Sequence, residues 1–237
     1  RRLASAPRAV LDGFAGTAWE HFRARLDAAL RRLGVRAAWR NVEEAMRPER
    51  EIEQILSPFL GGDDPLFGTR FTGTLSHLFD PARLRALRPD PPGPGPTAPL
   101  SILYGCGAAL AEWDGPLVYV DLPRNEAQFR ARAGSARNLG RSSPADPRAA
   151  YKRSYFVAWV ALGRHKASLL PRIAWFVDGQ RPEEPAFLSG AALRRALAAM
   201  VRSPFRVRPW FEPGPWGGLW IKERIPSLPR AAPNYAW

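Results

Sequence analysis

Ala9-Val10-Leu11-Asp12-Gly13-Phe14-Ala15-Gly16-Thr17-Ala18-Trp19-Glu20 joins a short apolar run to a glycine-containing turn and the start of an apolar stripe. From Thr17 onward Trp19, Phe22, Leu26, Leu30 and Leu33 recur at helical spacing, and Gly34 follows where a helix commonly stops. Strand, turn and helix in this order are the unit of an α/β fold. The turn is where such a fold holds an anion, because free backbone N–H groups and the helix dipole both point there. Gly13 and Gly16 lie three apart and superpose loosely on the phosphate-loop pattern G-x-x-G-x-G-K-[ST]. In that register Trp19 stands where the lysine belongs and Glu20 where the metal-holding hydroxyl belongs. An indole cannot neutralise a phosphate, and a carboxylate at the helix start repels one. Trp19 also shares a stripe with Phe22 and Leu26, which reads as a core anchor, and Glu20 reads as an ordinary partner of the helix dipole.

Working outward, Val35 to Val42 is expected as a second strand and Glu49 to Leu60 as a helix with Ile52, Ile55, Leu56 and Phe59 on one face. Asp80-Pro81 has the character of a helix start, with proline at the first helical position. The stretch Pro89 to Pro99 is too rich in proline for a regular element and is expected as a connector. Strands follow at Leu100–Tyr104 and Pro116–Asp121, then a basic helix at Asn125–Asn138 and a long aromatic-rich helix at about Arg148–Leu170. Ile173–Val177 is expected as another strand, and Ser189 as the cap of a helix over 191–201. Buried β-rich runs alternating with helices predict an α/β fold, a parallel sheet with helices on both faces. From Ser203 the texture changes to Pro, Gly and Trp without helical period, so residues 1–202 and 203–237 are read as separate domains.

The chain has 237 residues and a formal charge of +13, but the charge is unevenly spread. Residues 122–172 carry 11 basic and 2 acidic side chains, whereas 49–121 carry 5 and 10. A block of this kind suits a phosphate-bearing ligand or an acidic partner at least as well as a duplex. No helix-turn-helix, zinc-finger or RNP-like pattern accompanies it, which makes nucleic acid the weaker expectation. Cys106 is the single cysteine, so no internal disulfide or multi-thiolate metal site can form, and a cytoplasmic location is expected. No apolar run approaches the length of a membrane span.

The landmarks Gly13-Phe14-Ala15-Gly16, Phe79-Asp80-Pro81, Ile102-Leu103-Tyr104-Gly105 and Val118-Tyr119-Val120-Asp121, followed by an arginine-rich helix, resemble the uridine-kinase-like branch of the P-loop kinases over roughly residues 9–180. That resemblance implies a P-loop-kinase-like fold with an arginine lid. It also implies an acidic base at the end of the second strand and a glutamate before the glycine of the third. This chain has Asn41-Val42 and Tyr104-Gly105 at those places. With Trp19, three chemical positions depart from the pattern. Further along, Phe205 to Lys222, with Pro215-Trp216-Gly217-Gly218-Leu219-Trp220-Ile221-Lys222 at its centre, resembles the opening of a class I mannose-6-phosphate isomerase. Segments at 59–65, 117–126 and 178–182 resemble the N-terminal extension of long isomerase-like proteins. The resemblance implies that residues 203–237 begin a cupin domain that is incomplete at Trp237.

These readings set the expectations. The function expected is that of a catalytically degenerate kinase-like accessory or regulatory domain of an isomerase-like protein. An active phosphotransferase with an atypical loop and a nucleic-acid-binding module are the alternatives. The candidate phosphate-binding residues are Gly13, Gly16 and Thr17 in the first turn and Arg130, Arg132, Arg137, Arg141, Lys152 and Arg153 in the basic segment. A solvated, arginine-rich helix face is the plainer reading of the latter. No catalytic residue, metal ligand or cofactor is expected within this chain, zinc belonging to the isomerase domain beyond it. The partners expected are a small phosphorylated metabolite and the C-terminal cupin domain, without a membrane. His21, His77 and His165 are too dispersed to form a site.

Overall fold

The computed structural model describes residues 6–89, 99–203, 223–224 and 226–227. Expectations for the proline-rich connector at 90–98 and for the motif at 205–222 fall outside the described residues. By compactness the chain divides into residues 1–194 and 195–237, and the sheet lies wholly in the first unit.

Strand β1 (Arg8–Gly13) is buried from Ala9 onward, as its unbroken apolar run requires of a strand covered on both faces. It pairs in parallel with β3 (Leu100–Tyr104) on one side and β4 (Leu117–Asp121) on the other. Outside these lie β2 (Ala37–Asn41), parallel to β3, and β5 (Ile173–Asp178), parallel to β4. A short β6 (Phe187–Ser189) runs antiparallel on the edge of β5, giving the order β2-β3-β1-β4-β5-β6. The protein is thus an α/β fold with a six-stranded, mostly parallel sheet, and the expectation of a purely parallel sheet is corrected by β6.

Helix α1 (Trp19–Arg32) covers one face. Its Trp19, Phe22, Leu26 and Leu30 pack on Ala9, Leu11, Ile102, Tyr104, Val118 and Val120. The alternate positions Val10, Leu103, Leu117 and Tyr119 face the other side, against α2 (Glu49–Leu56), α4 (Arg124–Arg132) and α6 (Trp159–Leu169). A register shift at Leu117/Val118 keeps the faces matched: Leu117 still pairs with Ile173, while Val118 pairs with Trp175. Without that extra residue the apolar set of β5 would point the wrong way.

Asp80 caps α3 (Pro81–Ala86) by accepting from Ala82 N and Arg83 N at 2.8 and 3.0 Å. Both bonds hold its carboxyl below the usual range, the Arg83 contact acting most. Four elements differ from expectation. The helix expected over Glu49–Leu60 is α-helical to Leu56 and passes into a 3-10 turn over Ser57–Phe59. β2 is confined to Ala37–Asn41, because the Asn41 side chain accepts from Glu43 N and turns the chain. The basic helix ends at Arg132, since Gly134 has φ +70° and both Ser135 N and Ala136 N fold back onto the Arg130 carbonyl. The long helix is continuous, but its register widens to a π-helix at Ser154–Ala158 between α5 (Pro147–Arg153) and α6. Beyond β6, Ser189 Oγ accepts from Ala192 N at the start of α7 (Gly190–Met200).

Candidate functional site

The connection leaving β1 takes α1 to one face, whereas those leaving β3 and β4 enter the elements packed on the other. Loops that part in this way open a crevice at the carboxyl ends of the strands, where α/β proteins bind ligands. A cleft of about 700 Å³ lies there, lined by the first turn, Asn41, Glu43, Arg47, Glu49 and the strap of residues 134–144.

The first turn is closed on itself. Gly16 sits at φ +87°, a conformation that favours glycine, and Thr17 directs both its N–H (3.3 Å) and its hydroxyl (2.8 Å) to the Phe14 carbonyl. Gly13 is required by proximity: a Cβ there would lie 2.4 Å from the Val120 carbonyl oxygen. The same Cβ would meet the Trp19 ring at 3.0 and 3.1 Å. The indole therefore lies against the place where a Gly13 side chain would stand. It is held by Phe22 edge-on at 6.4 Å and by Tyr104 at 6.2 Å. Its Nε1–H is buried without a hydrogen-bond partner among the described residues. Glu20, next along, accepts from the Tyr104 hydroxyl at 2.8 Å and from Arg23 Nε at 3.0 Å. Burial, reinforced by Glu20, pushes the Tyr104 phenol up to about 12.

Beneath the turn lies Asp12, wholly buried. Its carboxylate accepts from Gly13 N at 2.6 Å, Gly107 N at 2.9 Å and Ala109 N at 2.9 Å, and meets His165 Nε2 at 2.8 Å. One side chain thus joins β1, the loop after β3 and α6. Cys106 and Tyr119 complete this buried polar group. Burial pushes the Cys106 thiol up to about 12, with the neighbouring Trp19 indole opposing only part of the effect. The Tyr119 hydroxyl is also pushed upward, by burial first and then by the Asp12 charge, and it has no hydrogen-bond partner among the described residues.

Of the expected phosphate ligands, Gly16, Thr17, Arg137 and Arg141 line the cleft together, whereas Gly13, Arg130, Arg132, Lys152 and Arg153 are not part of its lining, and most of the cations are engaged by carboxylates or carbonyls. Arg130 meets Glu126 at 2.8 Å and donates to the carbonyls of Gly16, Gly179 and Gln180 at 3.0 Å each. It is a clamp that ties α4 to the first turn and to the loop after β5. Arg137 reaches Glu43 at 3.2 Å, and Arg141 reaches Glu53 at 3.2 Å and Glu49 at 3.5 Å. Arg153 is buried against Glu53 and the Leu139 carbonyl, and burial lowers its guanidinium from the ordinary arginine value. Lys152, also buried, donates to the Asp64 carbonyl. Arg132 is exposed at the end of α4. Because that helix stops there, Arg130, Arg137 and Arg141 do not share a helical face. The expectation of a phosphorylated metabolite held by this cluster and the Gly13–Thr17 turn is therefore overturned. Apart from the exposed Arg132, these cations meet Glu43, Glu49, Glu53 and Glu126 or bind carbonyls, and the Trp19 indole lies beside Gly13.

Asp12, His165 and the glutamates of α2 are the residues that sequence reasoning passed over. A carboxylate ending a strand that is otherwise apolar is a local signal for Asp12. The acidic run Glu43, Glu44, Glu49, Glu51, Glu53 is the counterpart of the basic block at 122–172. The histidines are dispersed: His165 meets Asp12, His77 Nδ1 accepts from Thr74 N at 3.1 Å, and His21 lies 3.2 Å from Glu183. Among the described residues no three His, Cys, Asp or Glu side chains could together hold a metal ion, and no helix is long and apolar enough to cross a membrane.

Comparison with known families matches residues 1–202 to a domain of unknown function, DUF8485. The chain belongs to that family. No curated protein matches it. The C-terminal cupin partner is accordingly not retained, because the family that covers the fold is one of unknown function and the motif that suggested a barrel lies outside the described residues.

Proposed function

We propose that this is a P-loop-kinase-like domain that has given up phosphotransfer and acts as an accessory or regulatory domain, in the cytoplasm, of a protein resembling the class I mannose-6-phosphate isomerases. The isomerase part of this reading rests on sequence alone, that of residues 205–222 with the segments at 59–65, 117–126 and 178–182. The kinase-like part is supported by the central β1 between two parallel neighbours, with a glycine turn opening at the point where the connections diverge. That is the placement a phosphate loop needs, with helix N–H groups facing a crevice.

The observation that carries the loss of phosphotransfer is the Trp19 indole lying beside Gly13, at 3.0 Å from the position of a Cβ there. A triphosphate would have to displace a ring packed on Phe22 and Tyr104, and would then meet the Glu20 carboxylate at the position where the loop pattern has its hydroxyl. Phosphoryl transfer depends on positioned cations around the moving group, and here the arginines of the strap are neutralised by glutamates.

Calorimetric titration with magnesium and ATP, together with transfer of labelled γ-phosphate to nucleosides and sugars, tests the reading. No saturable heat and no transfer above background is the expected result. A magnesium-dependent isotherm with turnover that Arg137→Ala abolishes would replace this reading with an active phosphotransferase.

A further inference from the structure

The cleft above β1 has a volume of about 700 Å³, within the range of small-molecule sites, and nothing in the reading above fills it. Its charged lining is Glu20, Glu43, Glu49, Arg47, Arg137 and Arg141, three of each sign. Each guanidinium already faces a carboxylate: Arg137 at Glu43 (3.2 Å), Arg47 at Glu51 (3.2 Å) and Arg141 at Glu53 (3.2 Å). An anion entering here gains a guanidinium only by approaching the carboxylate that neutralises it, and a cation meets the converse problem. A neutral ligand that both donates and accepts suffers neither penalty. Hydroxyl groups donate to carboxylate oxygens and accept from guanidinium N–H, so a lining that offers both Glu and Arg suits a ligand rich in hydroxyls. Apolar surface from Met46, Leu139 and the half-buried Trp19 supplies contact for C–H faces. Glu43 meets Arg137 through Oε2, and its Oε1 takes no hydrogen bond among the described residues.

We infer that this cleft binds an uncharged polyhydroxylated small molecule, the chemistry shared by free sugars and the ribose of nucleosides. The inference rests on the proposed loss of the phosphate site, since a working phosphate loop would bring an anion into the same cleft.

The test uses the full 237-residue chain and saturation-transfer NMR. The probes are D-glucose, D-ribose, myo-inositol and adenosine, each beside its monophosphate ester, with inorganic phosphate as a further probe. At least one neutral polyol is expected to bind, with its ester about tenfold weaker, the size of one unfavourable contact near 1.4 kcal/mol. Binding by adenosine but not the sugars assigns a nucleoside, and the reverse assigns a sugar; either supports the inference. Glu43→Ala, at a half-exposed position, is expected to weaken binding at least several-fold, while Arg31→Ala on the far side of α1 leaves it unchanged. Absence of binding by all four polyols, tighter binding of the esters, or indifference to Glu43→Ala overturns it. Magnesium–ATP titration reports separately on the underlying reading, so a cleft that takes neither polyol nor nucleotide defeats this inference alone.

Discussion

Asp12 at the end of β1 and His165 in α6 meet at 2.8 Å in the interior, 153 positions apart in the chain. Because Asp12 also accepts from Gly107 N and Ala109 N, it acts as the joint of three segments that surround the first turn. Removing it leaves buried donors without acceptors. Asp12→Ala is expected to cost about 3 to 5 kcal/mol, and Asp12→Asn, which keeps one oxygen, clearly less. Urea unfolding followed by circular dichroism measures both. A loss below about 1 kcal/mol for Asp12→Ala would remove the joint from the account.

Tyr119 presents the opposite case. Its ring is fully buried and stacked on Phe176 at 5.9 Å, yet its hydroxyl bonds to nothing among the described residues. Tyr119→Phe keeps the ring and removes a desolvated polar group. The variant is expected to match the parent or exceed it by about 1 kcal/mol in the same unfolding experiment. A loss of stability would mean that the hydroxyl has a partner, such as an internal water.

Gly13→Ala places a methyl 2.4 Å from the Val120 carbonyl oxygen and against the Trp19 ring. Backbone cannot yield as a side chain can, so β1 and β4 must part or the turn must shift. A destabilisation of about 1 to 3 kcal/mol is expected. Tryptophan fluorescence should change in the native state, because the indole is one of the groups that must move. Retention of both signals would contradict the close approach.

Glu49 accepts from the Ser142 hydroxyl (2.6 Å) and Ser142 N (3.0 Å), and these bonds, with Arg141 behind them, hold its carboxyl below the ordinary 4.5. A group depressed in the folded state stabilises that state above its unfolded pKa. The contribution disappears as pH falls through the lower, folded value. Ser142→Ala should therefore raise the native pKa of Glu49, read by carboxyl carbon NMR, and make stability less steep in acid. An unchanged titration would show that the strap does not rest on Glu49.

The Cys106 thiol, raised to about 12, behaves in the opposite sense. It stays protonated in the folded protein while an unfolded thiol ionises near its ordinary 9.0. Folding stability should accordingly fall as pH rises from about 9 toward 12, and Cys106→Ala should flatten that slope. A thiol reagent at neutral pH is expected to react only after unfolding. Prompt reaction in the native state would show that the thiol is open to the cleft.

Much of the fold is legible along the chain because its signals are local. The apolar run ending at Gly13, the stripe from Trp19 to Leu30 and the Asp80-Pro81 start each report on residues within a few positions of one another. The same locality explains the errors. The basic stretch reads as helix to Asn138, but two N–H groups folding onto the Arg130 carbonyl end it at Arg132. The edge strand β6 is three residues long, too short to show a period, and exists because β5 offers it an edge.

By itself the sequence determined the alternation of strands and helices, and with it the α/β class. It also determined that an indole and a carboxylate stand where a lysine and a hydroxyl would serve a nucleotide. Only the tertiary structure decided which carboxylates the basic block meets. Arg137 finds Glu43 across 94 positions and Arg141 finds Glu53 across 88, distances over which hydrophobic periodicity carries no information. Charge acts through space, and the sheet order and the helices packed on it set which charges become neighbours. The arginines of the strap, which read as part of an anion site along the chain, thus stand against carboxylates once the chain is folded.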